Sequence, residues 1–182
     1  KMIYRMSRTK RYSDLMIHNF SSIIDTTTET QATAITVDIN PHLSIVVFSG
    51  TDDTIVGWKE DFMMMYQNEV PCLRHSLEYL NKVGSSLESM YIVGHSKGGM
   101  ESFYAYAFAT KEIQDKVLKV YSYDGPGLSE YCVNKIDEYI KDKMVHIVPQ
   151  GGIIGRMFTA VTKPTIIYSS YRGLHQHDPM SW

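Results

Sequence analysis

The feature that most constrains the fold is a serine placed between a strand pattern and a helix pattern. Residues 90–93 (MYIV) form a short apolar run, and residues 99–110 (GMESFYAYAFAT) are apolar on most sides, which predicts a buried helix. Between them lie residues 94–98 (GHSKG). A strand can turn into a helix this sharply only where crowded positions lack side chains, and glycines stand two residues either side of Ser96. The segment therefore predicts a strand–turn–helix unit.

Strand and helix patterns alternate through the rest of the chain. Two β-branched runs, residues 32–39 and 43–48, flank the turn sequence Asn-Pro-His and predict a hairpin. The later predicted elements are a helix starting at Pro71, a strand at 117–123, a helix at 129–143, a strand at 145–148, a short helix at 153–160 and a strand at 165–168. This order predicts the α/β class: a three-layer sandwich with helices on both faces of a mostly parallel sheet that starts with an antiparallel hairpin.

Length and charge exclude several classes of protein. The chain has 182 residues, which favours a single domain over residues 1–182, and this domain can itself be a piece of a longer chain. A formal net charge of −2 argues against a nucleic-acid partner. No apolar run approaches the roughly 20 residues of a membrane span, so we expect no stable membrane insertion. The expected location is cytoplasmic, although the missing targeting segment says little about compartment. Cys72 and Cys132 are predicted to be reduced thiols, and the sequence sets no oligomeric state.

The glycine-flanked serine has the flanks of a nucleophile elbow, with a strand before it and a helix after it. Ser96 is therefore the candidate nucleophile. The backbone N–H of Lys97 is the expected first donor to an oxyanion, while its side chain is expected to lie in solvent. A second donor should come from the loop after an earlier strand, and residues 50–52 (GTD) follow the apolar run at 43–48. The alternative for this loop is turn formation alone.

Four separated blocks carry a family resemblance: GTDDTIVGWKEDF, VGHSKGGM, YSYDGPGL and QHDPMSW. They resemble an uncharacterised bacterial family of lipase-like α/β hydrolases from residue 10 to the chain end, and more distantly the class 3 triacylglycerol lipases. The resemblance implies that the predicted sandwich is a three-layer α/β-hydrolase-like sandwich and that Thr51 helps to form an oxyanion hole. Where class 3 lipases carry Arg before the Gly-Thr pair, this chain has Ser49, so an ion pair that buttresses the loop can be lost.

A general base must follow the nucleophile, because the chain order of α/β hydrolases is Ser, acid, His. Three histidines lie far enough beyond Ser96. His146 falls within a predicted strand, whereas His175 and His177 share the loop after the last predicted strand. The residues alone leave these two open, and the resemblance favours His177 because it occupies the His position of the QHDP block.

The acid is the least determined member of the predicted triad. Its usual loop, residues 149–152 (PQGG), carries no carboxylate, which departs from the class 3 lipase pattern. The loop after the preceding strand contains Asp124, which becomes the candidate by elimination. Its role would be to hold one tautomer of His177 and to stabilise the imidazolium. The equally weighted alternative is an aspartate that shapes the Asp-Gly-Pro-Gly turn.

Three large apolar side chains, Trp58, Phe62 and Met65, follow helical spacing. They can form a lid or acyl-binding wall, but a core-facing helix is the favoured interpretation.

Together these residues predict a serine hydrolase that cleaves carboxylic esters or thioesters through an acyl-enzyme at Ser96. The substrate class is a small-molecule acyl ester, with no cofactor and no metal. The rival hypothesis is a catalytically degraded α/β-hydrolase fold that acts as a binding or regulatory domain, and the empty acid loop favours it. An acyltransferase or a peptidase would use the same triad.

Overall fold

A seven-stranded mixed sheet runs through the molecule, with its strands in sequence order. The computed structural model describes residues 2–52 and 54–182, with side chains from residue 4 onward. The strands are β1 (Met16–Asp25), β2 (Thr30–Asn40), β3 (Leu43–Phe48), β4 (Ser89–His95), β5 (Val117–Tyr123), β6 (Met144–Pro149) and β7 (Thr165–Ile167). The α-helices are α1 (Met2–Met6), α2 (Ile55–Met63), α3 (Pro71–Gly84), α4 (Lys97–Phe108), α5 (Lys111–Lys116), α6 (Glu130–Val133) and α7 (Glu138–Lys141).

The sheet changes direction once along its width. β1, β2 and β3 pair antiparallel, and β3 to β7 pair parallel. The predicted α/β class and N-terminal hairpin are confirmed. Because the last five strands are parallel, their carboxyl ends meet at one edge of the sheet. There Phe48 pairs with Gly94, and His95 pairs with Tyr123. The serine turn and the loops after β3 and β5 are thereby neighbours.

Helices cover the two faces of the sheet unequally. α3 and α4 pack against each other on one face, where Ile92 and Val120 are fully buried. On the other face Tyr91, Tyr121 and Tyr123 are only half-buried. Right-handed crossovers between parallel strands in sequence order place their helices on the same face, which accounts for the thin covering of the second face.

Two predicted helices are shorter than the apolar spacing indicated. The helix predicted at 129–143 is two separate turns, α6 and α7, because the chain leaves the first at Asn134 and re-enters at Asp137. The helix predicted at 153–160 is one 3₁₀ turn, since Phe158 takes a positive φ of 61° and Thr159 pairs with Leu128 instead.

Candidate active site

Ser96 occupies a strained position between β4 and α4. Its φ is 58° and its ψ is −132°, in a region that residues with a Cβ rarely enter. The turn is tight enough that a Cβ on Gly94 would overlap the Gly98 carbonyl, and one on Gly98 would overlap the Phe48 carbonyl. Ser96 N donates to Tyr123 O at 3.0 Å. The neighbouring strand therefore holds the serine in place from its amide side.

Asp124 and His177 meet beside this turn. Asp124 follows β5 with a positive φ of 46° and is fully buried. Its Oδ2 lies 2.7 Å from His177 Nδ1, and its Oδ1 accepts a hydrogen bond from Gly155 N at 3.0 Å. The hydrogen bond from Gly155 N holds Oδ1, so that Oδ2 faces the His177 ring. Asp124 is also the first residue of the turn after β5, so its backbone shapes the turn while its side chain contacts His177.

The loop that carries His177 is held by packing against the strand edge. His177 lies in a 3₁₀ helix, Gly173–His177. The His95 ring lies 4.5 Å from the His177 ring, and its Nε2 is 2.8 Å from the His177 carbonyl. Trp182 Nε1 donates to Gln176 O at 2.6 Å. Burial, followed by the proximity of His177, lowers the pKa of His95, which favours a neutral ring in this supporting position.

The other candidate bases lie elsewhere. His175 is exposed, and His146 is buried in β6 with Nε2 3.0 Å from Gly125 O. Among the described residues, the only side-chain hydrogen bond of His177 is the one at Nδ1, so none joins its Nε2 to Ser96 Oγ. Such contacts are often long without substrate and shorten in the Michaelis complex.

The candidate oxyanion donors flank the serine. Lys97 is the first residue of α4, so its amide has no carbonyl one turn earlier in the helix. Gly50 lies against Ser96, since a Cβ built on Gly50 would be 3.1 Å from Ser96 Cβ, and this brings the Thr51 loop to the serine. Neither the Thr51 nor the Lys97 amide donates to a backbone carbonyl in the described part of the chain.

Thr51 is tied to helix α2 by its side chain. Its Oγ1 donates to both carboxylate oxygens of Asp61, at 2.9 and 2.8 Å. Burial raises the pKa of Asp61, and the hydrogen bond from Thr51 opposes that shift. The loop after β3 therefore depends on α2 for its position.

The side chain of Lys97 is buried, so its expected exposure to solvent is wrong. It is 2% exposed, and its Nζ contacts Glu60 and Gln31. No periodic pattern relates residues 31, 60 and 97, so sequence reasoning missed this cluster. The only sequence signal is a charged residue, Glu60, on the inward face of a short helix.

A cavity of about 190 Å³ opens above Ser96. Its walls include Trp58, Phe62 and Met65, which are 57%, 59% and 61% exposed. The favoured interpretation of these three as a core-facing stripe is therefore wrong, because the inward face of α2 is formed by Val56, Gly57 and Glu60. The opposite wall comprises Pro126, Ile154, Met157 and Phe158.

Two further observations concern metals and membranes. Within residues 2–52 and 54–182, no group of three or more His, Cys, Asp or Glu side chains could hold a metal ion. None of the helices described is both long and apolar enough to cross a membrane.

The sheet order and the serine at its carboxyl edge define a lipase-like α/β fold. The chain belongs to the Mbeg1-like family, whose sequence profile matches residues 6–182. A crystal structure of M37 lipase is similar with a TM-score of 0.60 and 16% identity, covering 85% of this chain. The chain spans only 61% of that lipase, and at this identity the likeness shows the fold alone. No curated protein matches the chain.

Proposed function

We propose that the protein is a serine hydrolase that cleaves carboxylic esters or thioesters through an acyl-enzyme at Ser96. The observation that carries this proposal is the contact of 2.7 Å between His177 Nδ1 and the buried Asp124 carboxylate, beside a serine with positive φ. A buried carboxylate behind an imidazole fixes its tautomer, so that Nε2 can accept a proton. A structural turn would need neither the histidine nor the backbone strain.

The reaction would proceed in two halves. Ser96 Oγ attacks the acyl carbonyl while His177 Nε2 takes the serine proton, and the carbonyl oxygen becomes an oxyanion held by the Thr51 and Lys97 amides. The tetrahedral intermediate collapses, and His177 returns the proton to the departing alcohol or thiol. Water then attacks the acyl-enzyme with His177 as base, which releases the carboxylic acid and restores Ser96.

The dimensions of the cavity favour small acyl groups. Its volume of about 190 Å³ lies below the roughly 300–1,000 Å³ of sites for drug-sized ligands. Its apolar walls suit an aliphatic chain, so we expect a preference for short or medium acyl esters. Faster turnover of long-chain triglyceride emulsions than of p-nitrophenyl acetate or butyrate would contradict this expectation.

The test is labelling and turnover in matched serine variants. Wild type should react with a fluorophosphonate probe and hydrolyse p-nitrophenyl butyrate, whereas Ser96→Ala should lose both while its circular dichroism is unchanged. Ser86→Ala, at an exposed serine whose Oγ donates to Val83 O, is the control and should keep both. Turnover by Ser96→Ala at the wild-type rate would remove Ser96 from the mechanism. A wild-type protein that is not labelled would favour the binding or regulatory interpretation.

A further inference from the structure

Lys97 has a fully satisfied ammonium group inside the protein. Its Nζ donates to Gln31 O at 2.7 Å, to Gln31 Oε1 at 2.7 Å and to Glu60 Oε2 at 2.9 Å. These three acceptors use all three of its donors. The side chains of Lys97 and Glu60 are only 2% and 0% exposed, so solvent contributes little to holding this charge.

Glu60 extends the cluster to two more elements. Its Oε2 also accepts from Gln31 N at 3.0 Å, and its Oε1 accepts from Cys72 N at 2.8 Å, at the start of α3. A buried ion pair is favourable only when further hydrogen bonds complete it, as they do here. One carboxylate therefore joins the nucleophile turn, the start of β2, the start of α3 and helix α2.

The same cluster reaches the candidate oxyanion loop by two routes. Gln31 Oε1, which binds Lys97, is also 3.4 Å from Asp52 N. Helix α2, which carries Glu60, also carries Asp61, the acceptor of the Thr51 hydroxyl. The helix and the loop approach closely, since a Cβ on Gly57 would be 3.0 Å from Thr51 Cγ2. The seating of α2 thus sets where Thr51 lies.

The other ionisable groups around Lys97 are suited to a neutral state. Burial raises the pKa of Glu101 and of Cys72 well above their ordinary values. Burial by itself lowers the pKa of Lys97, but the ion pair and hydrogen bond with Glu60 oppose that effect. Burial favours the neutral forms of Glu101 and Cys72, which leaves Glu60 as the counter-ion of Lys97.

We propose that the Lys97 side chain is a positioning residue, which holds α2 and the Thr51 loop through Glu60 and Gln31 so that the Thr51 amide faces the reacting carbonyl. This inference rests on the proposed hydrolase function. It gives Lys97 two separate roles: its backbone N–H faces the oxyanion, and its ammonium group aligns the donor on the other side. The cluster acts through geometry, because the ammonium group is buried and all of its hydrogen bonds go to Glu60 and Gln31.

The main test is a variant that removes both charges together, Lys97→Met/Glu60→Gln, so that no unpaired charge stays buried. With p-nitrophenyl acetate, whose acyl group makes little use of the α2 wall, kcat should fall about 100-fold, as for a displaced or lost oxyanion donor. KM should change less than about threefold, because ground-state binding of this small ester is retained. Hydrogen exchange of the Thr51 and Asp52 amides and of α2 should accelerate, while that of β4 and β5 should not.

Two single variants accompany the double variant, one as a milder disruption of the cluster and one as a control. Gln31→Met keeps the ion pair and removes one bridge, so kcat should fall by less than in the double variant and exchange should accelerate at Asp52. This variant decides the matter if the double variant does not fold. Lys116→Met, at a lysine that binds the Gly84 and Ser85 carbonyls away from the site, should leave kcat and the exchange of the Thr51 loop unchanged.

The failures are distinguishable. A double variant with kcat within about threefold of wild type, or with unaltered exchange in the Thr51 loop and α2, overturns the positioning role. If wild type itself shows no Ser96-dependent turnover, the proposed function fails. In that case the exchange measurement alone decides whether the cluster holds the loop.

Discussion

Two pairs, each of a carboxylate and a basic side chain, flank Ser96, and they differ in access to solvent. On one side Asp124 and His177 are 2.7 Å apart, with the carboxylate 0% and the histidine 28% exposed. On the other side Glu60 and Lys97 are 2.9 Å apart, with exposures of 0% and 2%. Both pairs join residues that are distant in sequence, and both begin at the carboxyl edge of the parallel strands.

The difference in exposure indicates different work for the two pairs. The exposure of the His177 side chain leaves it accessible to a substrate and to solvent, as its proposed role of general base requires. Lys97 is closed off and fully hydrogen-bonded, so its charge is a permanent part of the structure. We therefore expect changes in the first pair to reduce activity more than stability, and changes in the second pair to reduce stability as well as activity.

The largest effect is expected at the Asp124–His177 pair, whose histidine is accessible to solvent. His177→Ala should reduce kcat for p-nitrophenyl butyrate by about 10⁴-fold or more, because the serine loses its proton acceptor. His175→Ala, two residues away and exposed, should cost less than about tenfold, since it perturbs positioning only. The reverse order of the two effects would show that the base is His175.

The next effect concerns the acid of the same pair. Asp124→Asn keeps size and turn chemistry but can favour the wrong imidazole tautomer, so kcat should fall by up to about 10⁴-fold. Asp178→Asn is the matched control, because Asp178 only caps the final 3₁₀ turn by accepting from Met180 N. Equal activity of the two variants would mean that Asp124 shapes its turn and does nothing more.

Substitution in the Glu60–Lys97 pair, which is closed to solvent, should lower the free energy of unfolding. Lys97→Met leaves Glu60 buried without its counter-ion, and we expect a loss of about 3–5 kcal/mol in chemical denaturation. Lys119→Met, at a surface lysine that binds Asp142 O, should change stability by less than about 0.5 kcal/mol. If Lys97→Met unfolds no more readily than this control, the Glu60–Lys97 pair does not stabilise the fold, and the expected contrast with the Asp124–His177 pair is wrong.

The smallest expected effect concerns the protonation of Glu101, a buried carboxyl group near the Glu60–Lys97 pair. Burial raises the pKa of Glu101 above its ordinary value of 4.5, so folding takes up a proton at higher pH. The stability this group contributes is present below 4.5 and is lost as pH rises toward the folded pKa. Glu101→Gln removes this loss, so the melting temperature of the variant relative to that of wild type should increase as pH rises above 4.5. A constant difference across that range would mean that Glu101 is ionised in the folded protein.

Much of the candidate site followed from local patterns. The glycines around Ser96, the apolar strands and the position of Asp124 after β5 all act within a few residues of the chain, where sequence spacing is informative. The choice of His177 over His175 came from a resemblance to a family and not from the residues themselves. In the structure His177 contacts Asp124, while His175 points into solvent.

The amphipathic stripe of α2 was misinterpreted for a physical reason. Helical spacing shows which side chains share a face but does not say whether that face meets the core or an open cavity. Trp58 and Phe62 lie on the outer face of α2 and Met65 follows the end of the helix, because the inner face is occupied by Glu60 and its ion pair. The Lys97 side chain was expected in solvent, and these three apolar side chains were expected in the core. Instead Lys97 is buried against Glu60, and the three side chains line the cavity.

The sequence by itself determined the class of the fold, the antiparallel start of the sheet, the strand–turn–helix unit and the serine at its apex. Those features depend on backbone sterics and on apolar periodicity, which operate over short stretches of chain. Only the tertiary structure decided that Lys97 is buried, that Glu60 and Gln31 bind it, and that α2 turns its aromatic side chains toward the cavity. Contacts between residues 31, 60 and 97 form only when β2, α2 and α4 pack together, because the burial of a charge depends on partners that no local pattern specifies.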